Sequence, residues 1–266
     1  MFLTIDGRKA YAYTGGKTFD AALPTVALVH GAQHDHSVWV LQSRYLAHHG
    51  YSVLAVDLPG HGRSAGPALE SVEAMAQWVL ALLAASGAAR ASIVGHSMGS
   101  LIALEAAGAA PLKVSGIALV GSANPMAVSD TLLEATRDDE ALAQDMVNIW
   151  SHSTYAAKPS NPGPGFWIVG QNLRLMQRIA PGVMHTDFKA CNAYAGGAAR
   201  AAQVRCPTLF VLGNRDAMTP PRAARDLQAA IKGQRTVLVS PCGHNLMAEQ
   251  PDAVLDALTG FLPGCT

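Results

Sequence analysis

Residues 91–107 read ASIVGHSMGSLIALEAA, and this stretch decides the fold. It begins with Ser92-Ile93-Val94, whose two β-branched residues are typical of a buried strand. It ends with Leu101 to Ala107, whose small and apolar residues favour a helix. The five residues Gly95-His96-Ser97-Met98-Gly99 fit the pattern G-x-S-x-G, a sharp turn that lifts a serine hydroxyl above the end of a strand. The sequence therefore predicts a strand, a tight turn with Ser97 at its tip, and a helix.

Short apolar runs alternate with helical patterns on both sides of this stretch. Such runs predict a parallel sheet with helices on both faces, because its strands are buried on both sides. Phe2 to Ile5 and Lys9 to Tyr13 are joined by Asp6-Gly7, a dipeptide favoured in hairpin turns, and should form an antiparallel edge. We predict an α/β fold with an eight-stranded, mostly parallel sheet. The other six predicted strands are Thr25 to His30, Ser52 to Asp57, Ala91 to Gly95, Gly116 to Val120, Thr208 to Leu212 and Thr236 to Val239.

The alternation breaks between about Ser122 and Ala202, where no β-branched run occurs. We interpret residues 122–202 as a helical cap inserted after the sixth strand, between core segments 1–121 and 203–266. The stretch Asn161-Pro162-Gly163-Pro164-Gly165 suits a loop between cap helices. The predicted cap helices are Asp130 to Trp150 behind Ser129 as N-cap, Phe166 to Ala180, and Thr186 to Ala195.

Composition narrows the range of partners. The 19 basic residues balance 19 acidic ones, so no global field attracts nucleic acid or an anionic membrane. Charges within Met1 to Ala10 argue against a signal peptide, and apolar runs such as Trp78 to Ala85 are shorter than the roughly 18 residues of a membrane helix. We expect a cytoplasmic monomer or homodimer that acts on a small molecule. The four cysteines form no C-x-x-C pair, and we interpret them as reduced thiols.

A serine hydroxyl needs a nearby base to act as a nucleophile, and the base needs a third group to orient it. Gly213-Asn214-Arg215-Asp216 follows a predicted strand and places a carboxylate at its carboxyl end. Pro241-Cys242-Gly243-His244 follows the last predicted strand and places an imidazole at the same edge. Asp216 and His244 are therefore the candidate acid and base. Taken alone, Asp216 could be a turn residue, His244 a surface histidine, and Ser97 a helix cap.

The chain resembles the α/β-hydrolase superfamily over its whole length. The order Ser97, Asp216, His244 is that of the family's triad. His30-Gly31-Ala32 resembles its HG-x loop, and Asp57 to Ser64, which reads DLPGHGRS, resembles its D-x-P-G-x-G-x-S segment. The resemblance implies that the backbone N–H groups of Ala32 and Met98 form an oxyanion hole, and that Asp57 belongs to a structural loop.

The resemblance also separates branches of the family. In some relatives the acid of the triad follows the preceding strand. The corresponding position in this chain is Asn124, whose side chain is an amide and not a carboxylate. This favours Asp216. Because the nucleophile position holds Ser97, branches that form an aspartyl ester, such as dehalogenases and epoxide hydrolases, are disfavoured.

The stretch His34-Asp35-His36 raises the possibility of a metal site. Ligands at i and i+2 need further partners that no spacing in the sequence supplies, so we predict no metal and no cofactor. We interpret the stretch as a polar loop beside the oxyanion donors. Gln33 and Trp39, on either side of it, are candidates for the pocket wall.

The cap segment is rich in large apolar residues, most of which should pack against one another. A cap above Ser97 must still present some of them to the substrate, and we select Trp167 and Met176. A more polar stretch contains Asp187, Cys191, Asn192 and Tyr194, one of which could hydrogen-bond the substrate. The apolar cap residues are Met126, Trp150, Phe166, Trp167, Leu175, Met176 and Met184.

These residues favour hydrolysis of a small, largely apolar carboxylic ester through an acyl group on Ser97. Lactone, thioester, amide and carbon–carbon bond hydrolysis and perhydrolysis use the same residues, so fold and triad alone do not select the bond. A hydrolase-like receptor that binds a ligand is a further alternative. Binding of a nicotinamide cofactor is rejected, because no G-x-G-x-x-G follows the first parallel strand.

Overall fold

The computed structural model describes residues 1–156 and 167–265. The strands of this part of the chain are β1 (Phe2–Ile5), β2 (Arg8–Tyr13), β3 (Thr25–Val29), β4 (Ser52–Asp57), β5 (Ala91–His96), β6 (Val114–Val120), β7 (Thr208–Gly213) and β8 (Arg235–Val239). They form one eight-stranded sheet in the order β1-β2-β4-β3-β5-β6-β7-β8. β2 is antiparallel to both β1 and β4, and the later neighbours are parallel. The predicted α/β fold with its antiparallel edge is confirmed.

Helices cover both faces of this sheet. The helices of the described residues are α1 (Val40–His48), α2 (Val72–Ser86), α3 (Met98–Ala109), α4 (Asp130–Asp138), α5 (Glu140–Ser151), α6 (Ile168–Met176), α7 (Val183–Ala193), α8 (Gly197–Gln203), α9 (Arg225–Ala230), α10 (Leu246–Glu249) and α11 (Pro251–Thr259), with 3₁₀ turns at His36–Trp39, Pro221–Ala224 and Leu262–Cys265. Alternate strand residues point to opposite faces. Ala27 and Val29 pack in one core with residues of α2 and α3, and Val26 and Leu28 pack in a second core with residues of α1 and α11. No helix in the described ranges has both the length and the apolar character to cross a bilayer.

Among the described residues between β6 and β7 there are five helices, α4 to α8, where the sequence predicts three. The predicted helix from Asp130 to Trp150 is divided at Asp139, whose non-helical backbone ends α4 and whose carboxylate accepts the Leu142 N–H at 3.1 Å to cap α5. Ser129 caps α4, as predicted. The second and third predicted helices correspond to α6 and α7, and α8 is not predicted. Phe166 and the loop at residues 161–165 lie outside the described residues.

Candidate active site

Ser97 occupies the turn between the central strand β5 and α3. Its φ of 54° and ψ of −119° lie in a region that non-glycine residues rarely adopt. The Ser97 N–H donates to the Val120 carbonyl oxygen at 2.9 Å and holds the turn. A Cβ at Gly95 would overlap the Gly99 carbonyl oxygen, and a Cβ at Gly99 would overlap that of Val29. The glycines at both ends of the motif therefore allow a close turn that leaves Ser97 partly exposed.

His244 and Asp216 form a hydrogen-bonded pair at the carboxyl edge of the sheet. Asp216 follows β7 and His244 follows β8. Nδ1 of His244 lies 2.7 Å from Oδ2 of Asp216, and both side chains are buried. When the imidazole is neutral, donation from Nδ1 leaves the lone pair on Nε2, which is the arrangement that a general base needs.

The Asp216 carboxylate is held in its ionised form. Its Oδ1 accepts the backbone N–H groups of Met218 at 2.9 Å and of Thr219 at 2.7 Å, and Oδ2 accepts the Thr219 hydroxyl at 2.7 Å. Burial alone would raise the pKa of Asp216. The His244 imidazole and the hydrogen bonds from His244 and Thr219 outweigh burial and hold this pKa below its usual value.

Two backbone contacts join the loops that carry the acid and the base. The Asn214 N–H donates to the Val239 carbonyl oxygen at 3.0 Å, and the Arg215 N–H donates to that of Cys242 at 2.8 Å. A Cβ at Gly213 would overlap the Gly243 carbonyl oxygen. Glycine at this position therefore lets the two loops approach closely enough for the acid and base to meet.

The loop of His244 is also tied to the helices between β6 and β7. The His244 N–H donates to the carbonyl oxygen of Ser151, the last residue of α5, at 2.8 Å. The buried Glu249 carboxylate accepts the N–H groups of Gly243 at 3.1 Å and of Ser153 at 3.2 Å. Burial, only partly offset by these hydrogen bonds, raises the pKa of Glu249. His244 is therefore anchored from both the core and the inserted helices.

The two predicted oxyanion donors flank Ser97. Met98 is the first residue of α3, so its N–H has no acceptor within the helix. Ala32 borders the same cavity as Ser97 and belongs to the loop after β3. A Cβ on Gly31, the residue before it, would lie 3.2 Å from the Ser97 Cβ. This loop therefore approaches Ser97 closely, because glycine leaves space for it.

Two cavities meet at Ser97 and share Ala32, Phe188 and Met218 in their walls. The small cavity has a volume of about 30 Å³ and the large cavity one of about 180 Å³. The other described residues around the small cavity are Gly31, His34, His96, Val147, Ser151, Asn172, His244 and Asn245. Those around the large cavity are Met126, Ala127, Val128, Ser129, Leu132, Trp150, Cys191, Ala217 and Thr219.

The four residues selected as substrate contacts are not among the described residues that surround either cavity. Trp39 is fully buried in the core on the α1 side of the sheet, and Met176 is fully buried within the inserted helices. Trp167 is 71% exposed. The Gln33 side chain donates to Glu140 and to the Met176 carbonyl oxygen, so it joins the core to the inserted helices. The structure corrects this part of the sequence interpretation.

The residues missed by sequence reasoning come mostly from the inserted helices. Phe188 lies between the two cavities, and Asn172 borders the small one. Both positions fall within predicted helices, but nothing in their spacing shows which face meets the site. Of the apolar cap residues, Met126 and Trp150 reach the large cavity.

The polar stretch of α7 has mainly structural partners. Asn192 accepts the Val128 N–H, and the Tyr194 hydroxyl donates to Glu105. Asp187 is fully buried and accepts the Gln33 N–H. Of the four residues in this stretch, Cys191 is the one that borders a cavity, and burial raises the pKa of its thiol above the usual range.

Two further histidines border the small cavity. Nε2 of His34 lies 2.8 Å from the Asn172 side-chain oxygen, and Nδ1 lies 2.8 Å from the Ala32 carbonyl oxygen. A neutral imidazole can donate to only one of these acceptors, and burial lowers the pKa of His34. Nε2 of His96 lies 2.8 Å from the His244 carbonyl oxygen. Burial and the nearby His244 hold the pKa of His96 well below its usual value.

His34 and His36 point to different partners. Nδ1 of His36 lies 2.7 Å from the Asp57 carboxylate, which also accepts the Arg63 N–H at 2.8 Å. The Asp35 carboxylate accepts bonds from the Ser37 backbone and hydroxyl. Within the described part of the chain, Asp35, His36 and Asp57 are close enough to share a cation. Each already has a protein partner, so these contacts suit a structural loop.

The fold and the geometry of this site together define an α/β protein with a nucleophile elbow and a paired acid and histidine. Comparison with known proteins gives the family. Residues 24–251 match the alpha/beta hydrolase fold family, and the chain belongs to it. The resemblance stated from the sequence is thereby confirmed.

The relatives are named for several different activities. The provisionally named carbamate hydrolase RutD of Klebsiella pneumoniae (strain 342) is 30% identical over 254 residues, covering 90% of this chain and 93% of the relative. A pimeloyl-[acyl-carrier protein] methyl ester esterase of Neisseria meningitidis is 28% identical, covering 93% and 97%. The enol-lactonase of Burkholderia xenovorans LB400 superposes with a TM-score of 0.87 at 22% identity, covering 99% and 100%. At that identity the lactonase supports the fold alone.

Proposed function

We propose that this chain is a serine hydrolase that cleaves a small, largely apolar carboxylic ester. Ser97 is the nucleophile, His244 the general base and Asp216 the acid that orients it. The observation that carries this proposal is the 2.7 Å contact between His244 and Asp216, because it aligns a base beside the cavity that also contains Ser97. The similarity to a methyl ester esterase over most of both chains adds support.

The proposed reaction has two steps. In the first, the Ser97 Oγ attacks the ester carbonyl carbon and its proton passes to Nε2 of His244. The N–H groups of Ala32 and Met98 stabilise the oxyanion, a contribution of about 3 kcal/mol per donor. The carbon–oxygen bond to the alcohol then breaks, and the departing oxygen takes the proton from His244.

In the second step, a water molecule replaces the alcohol. It gives a proton to His244, and its oxygen bonds to the acyl carbon. The bond between that carbon and the Ser97 Oγ breaks, Ser97 regains the proton, and the carboxylic acid leaves. Each step begins and ends with a neutral His244, so the cycle needs no cofactor.

Residues 122–202 act as a cap that selects the substrate and does not supply the triad. Support for this role comes from Phe188 and Leu132, two residues of the inserted helices that border a cavity at Ser97. The proposed triad and oxyanion donors all lie outside this range. Substitutions in the cap that alter a cavity should therefore change the ranking of substrates more than the chemistry.

Hydrolysis of a carbamate is a second candidate. The similarity to the relative from Klebsiella, which is named a carbamate hydrolase, favours this candidate. The same serine attack applies, because a carbamate also presents a carbonyl carbon with a leaving group. A comparison of the rates at which the protein hydrolyses a methyl carbamate and the corresponding methyl ester tests this candidate directly.

The test is labelling with a fluorophosphonate probe, combined with an ester hydrolysis assay. Ser97→Ala should abolish labelling and reduce hydrolysis by about 10⁴-fold or more. Peptide mass spectrometry should locate the adduct on Ser97 in the wild-type protein. Ser115→Ala is the matched control, because Ser115 lies near the amino-terminal end of β6, at the edge of the sheet opposite Ser97. This variant should keep both the labelling and the hydrolysis. Labelling of Ser64 or Ser100 in place of Ser97 would overturn the assignment.

A further inference from the structure

The histidine that would transfer the proton borders only one of the two cavities at Ser97. His244 and its neighbour Asn245 belong to the wall of the small cavity. The described wall of the large cavity contains Ser97 and Ala32 but neither of those two residues. The two sides of the nucleophile are therefore chemically different.

This difference decides which cavity holds the acyl half of an ester and which holds the alcohol half. The departing oxygen must receive its proton from His244, so it lies on the side of that imidazole. The acyl substituent is bonded to the same carbonyl carbon and points away from the departing group. It therefore extends toward the large cavity, while the alcohol occupies the small one. After the alcohol leaves, the small cavity also holds the water that His244 activates.

The sizes and walls of the cavities set limits on each half. The small cavity, at about 30 Å³, has room for about two water-sized groups. Its wall contains the polar side chains of His34 and Asn172. The large cavity is about 180 Å³, and a dry apolar cavity of roughly 150 Å³ holds a benzene-sized group. Its wall includes Met126, Leu132 and Trp150, which suit an apolar chain.

We propose that the substrates are esters of medium-sized apolar carboxylic acids, of about six carbons, with very small alcohols such as methanol. The acyl group lies in the large cavity and the alkoxy group in the small cavity. This inference rests on the proposed function, since it requires Ser97 to be the nucleophile and His244 the proton donor.

Two isomeric esters separate this proposal from a general preference for apolar esters. Methyl hexanoate and pentyl acetate have the same atoms, but the long chain is on the acyl side in the first and on the alcohol side in the second. After division by the rate of hydroxide hydrolysis, kcat/KM for methyl hexanoate should exceed that for pentyl acetate by about tenfold or more. Equal values, or a preference for pentyl acetate, would overturn the assignment of the cavities.

Filling the large cavity provides a second test. Val128→Phe should lower kcat/KM for methyl hexanoate by about tenfold more than it lowers kcat/KM for methyl acetate. Ala127→Leu, at an exposed position in the same wall, should act in the same direction if Val128→Phe does not fold. Leu112→Phe, on a residue 85% exposed between α3 and β6, is the matched control and should change neither value.

The outcomes distinguish this inference from the proposed function. If Ser97→Ala abolishes hydrolysis but the isomers show no acyl-side preference, only the assignment of the cavities fails. If Ser97→Ala retains hydrolysis, the proposed function fails and the cavity assignment fails with it. If Val128→Phe, folded by circular dichroism, lowers the rates of both methyl esters equally, the large cavity is not the acyl site.

Discussion

The carboxylate of Asp187 accepts the backbone N–H of Gln33 at 2.8 Å, although 154 positions separate the two residues in the chain. Gln33 has a φ of 57°, which is unfavourable for a side chain of this kind. The same carboxylate oxygen lies 2.9 Å from Nε2 of His61. A side chain from α7 therefore stabilises strained backbone immediately after Ala32, the proposed oxyanion donor.

Substitution of Asp187 should affect catalysis through this loop. In Asp187→Ala the Gln33 N–H loses its acceptor, so the Ala32 N–H should no longer be held in place for the oxyanion. We expect kcat to fall by about tenfold to a hundredfold with little change in KM, because the donor acts mainly in the transition state. Asp187→Asn keeps an oxygen acceptor and should retain more of kcat. Steady-state kinetics on a methyl ester measures both.

Controls for this prediction separate a local from a global effect. Asp138→Ala removes an exposed carboxylate on α4 and should leave kcat and KM unchanged. Circular dichroism should show that Asp187→Ala is folded at the assay temperature. A rise in KM at constant kcat would indicate that Asp187 acts on substrate binding and not on the oxyanion loop.

The pair of His61 and Asp187 should make stability depend on pH. Burial alone would lower the pKa of His61, but the Asp187 carboxylate and the Pro59 carbonyl oxygen outweigh it and raise this pKa above its usual value. Asp57 acts in the same direction. Because folding raises the pKa of His61, protonated His61 stabilises the folded state fully at a pH below its unfolded pKa of about 6.5. This stabilisation is lost as the pH rises through the pKa of His61 in the folded state.

The variant His61→Gln tests this sign. Removing one partner of a buried pair should lower the free energy of unfolding by about 3–5 kcal/mol near pH 6. The difference from the wild type should shrink as pH rises toward 9. Urea unfolding at several pH values measures it, and an NMR titration of the His61 ring gives its pKa. A difference that grows with pH would contradict the expected direction.

The sequence predicts the sheet well because each strand carries its own local signal. All eight predicted strands occur, with ends that differ from the structure by at most two residues, as at Val114 in β6. The pairing of Asp216 with His244 also follows from local information, since both residues lie in loops that follow strands whose carboxyl ends share one edge. Their pairing needs no knowledge of the cap.

The inserted helices are predicted less well because their contacts join distant parts of the chain. The division at Asp139 depends on a capping hydrogen bond. An aspartate in the sequence can either cap a helix or point to solvent from a helix, so its identity alone does not predict the division. Trp39 looks like a pocket residue from its position after the oxyanion loop, but its ring is buried on the other face of the sheet. Phe188 has no local signal that selects it.

The close packing of the elbow gives a stability prediction. Gly99→Ala places a methyl group against the carbonyl oxygens of Val29 and His30, which belong to the backbone and cannot rotate away. We expect the free energy of unfolding to fall by about 1–3 kcal/mol or more. Gly264→Ala is the matched control, because in the described part of the chain no atom beyond its chain neighbours lies within 4 Å of the added methyl, and its φ is not positive. Thermal unfolding of both variants measures the difference, and equal melting temperatures would contradict this packing.

The last prediction concerns Thr219, whose hydroxyl donates to Oδ2 of Asp216 at 2.7 Å and lies 3.1 Å from Nδ1 of His244. Thr219→Val keeps the shape of the side chain but removes its hydrogen bond to the Asp216 carboxylate. A hydrogen bond to a charged group contributes about 1.5–3 kcal/mol to stability. We expect kcat to fall about tenfold, because the carboxylate that orients His244 is less firmly held. Thr219→Ser retains the hydroxyl and should keep most of kcat.

The same variant should change acid stability in a defined direction. The lowered pKa of Asp216 contributes stability that is present above the unfolded value of about 3.9 and is lost as pH falls through the folded value. Removing the Thr219 hydroxyl raises the folded value, so acid unfolding of Thr219→Val should begin at a higher pH than in the wild type. Circular dichroism between pH 6 and pH 2 follows the transition. If Thr219→Val and Thr219→Ser unfold at the same pH and retain the same kcat, the hydroxyl does not hold Asp216, and the backbone N–H groups of Met218 and Thr219 suffice.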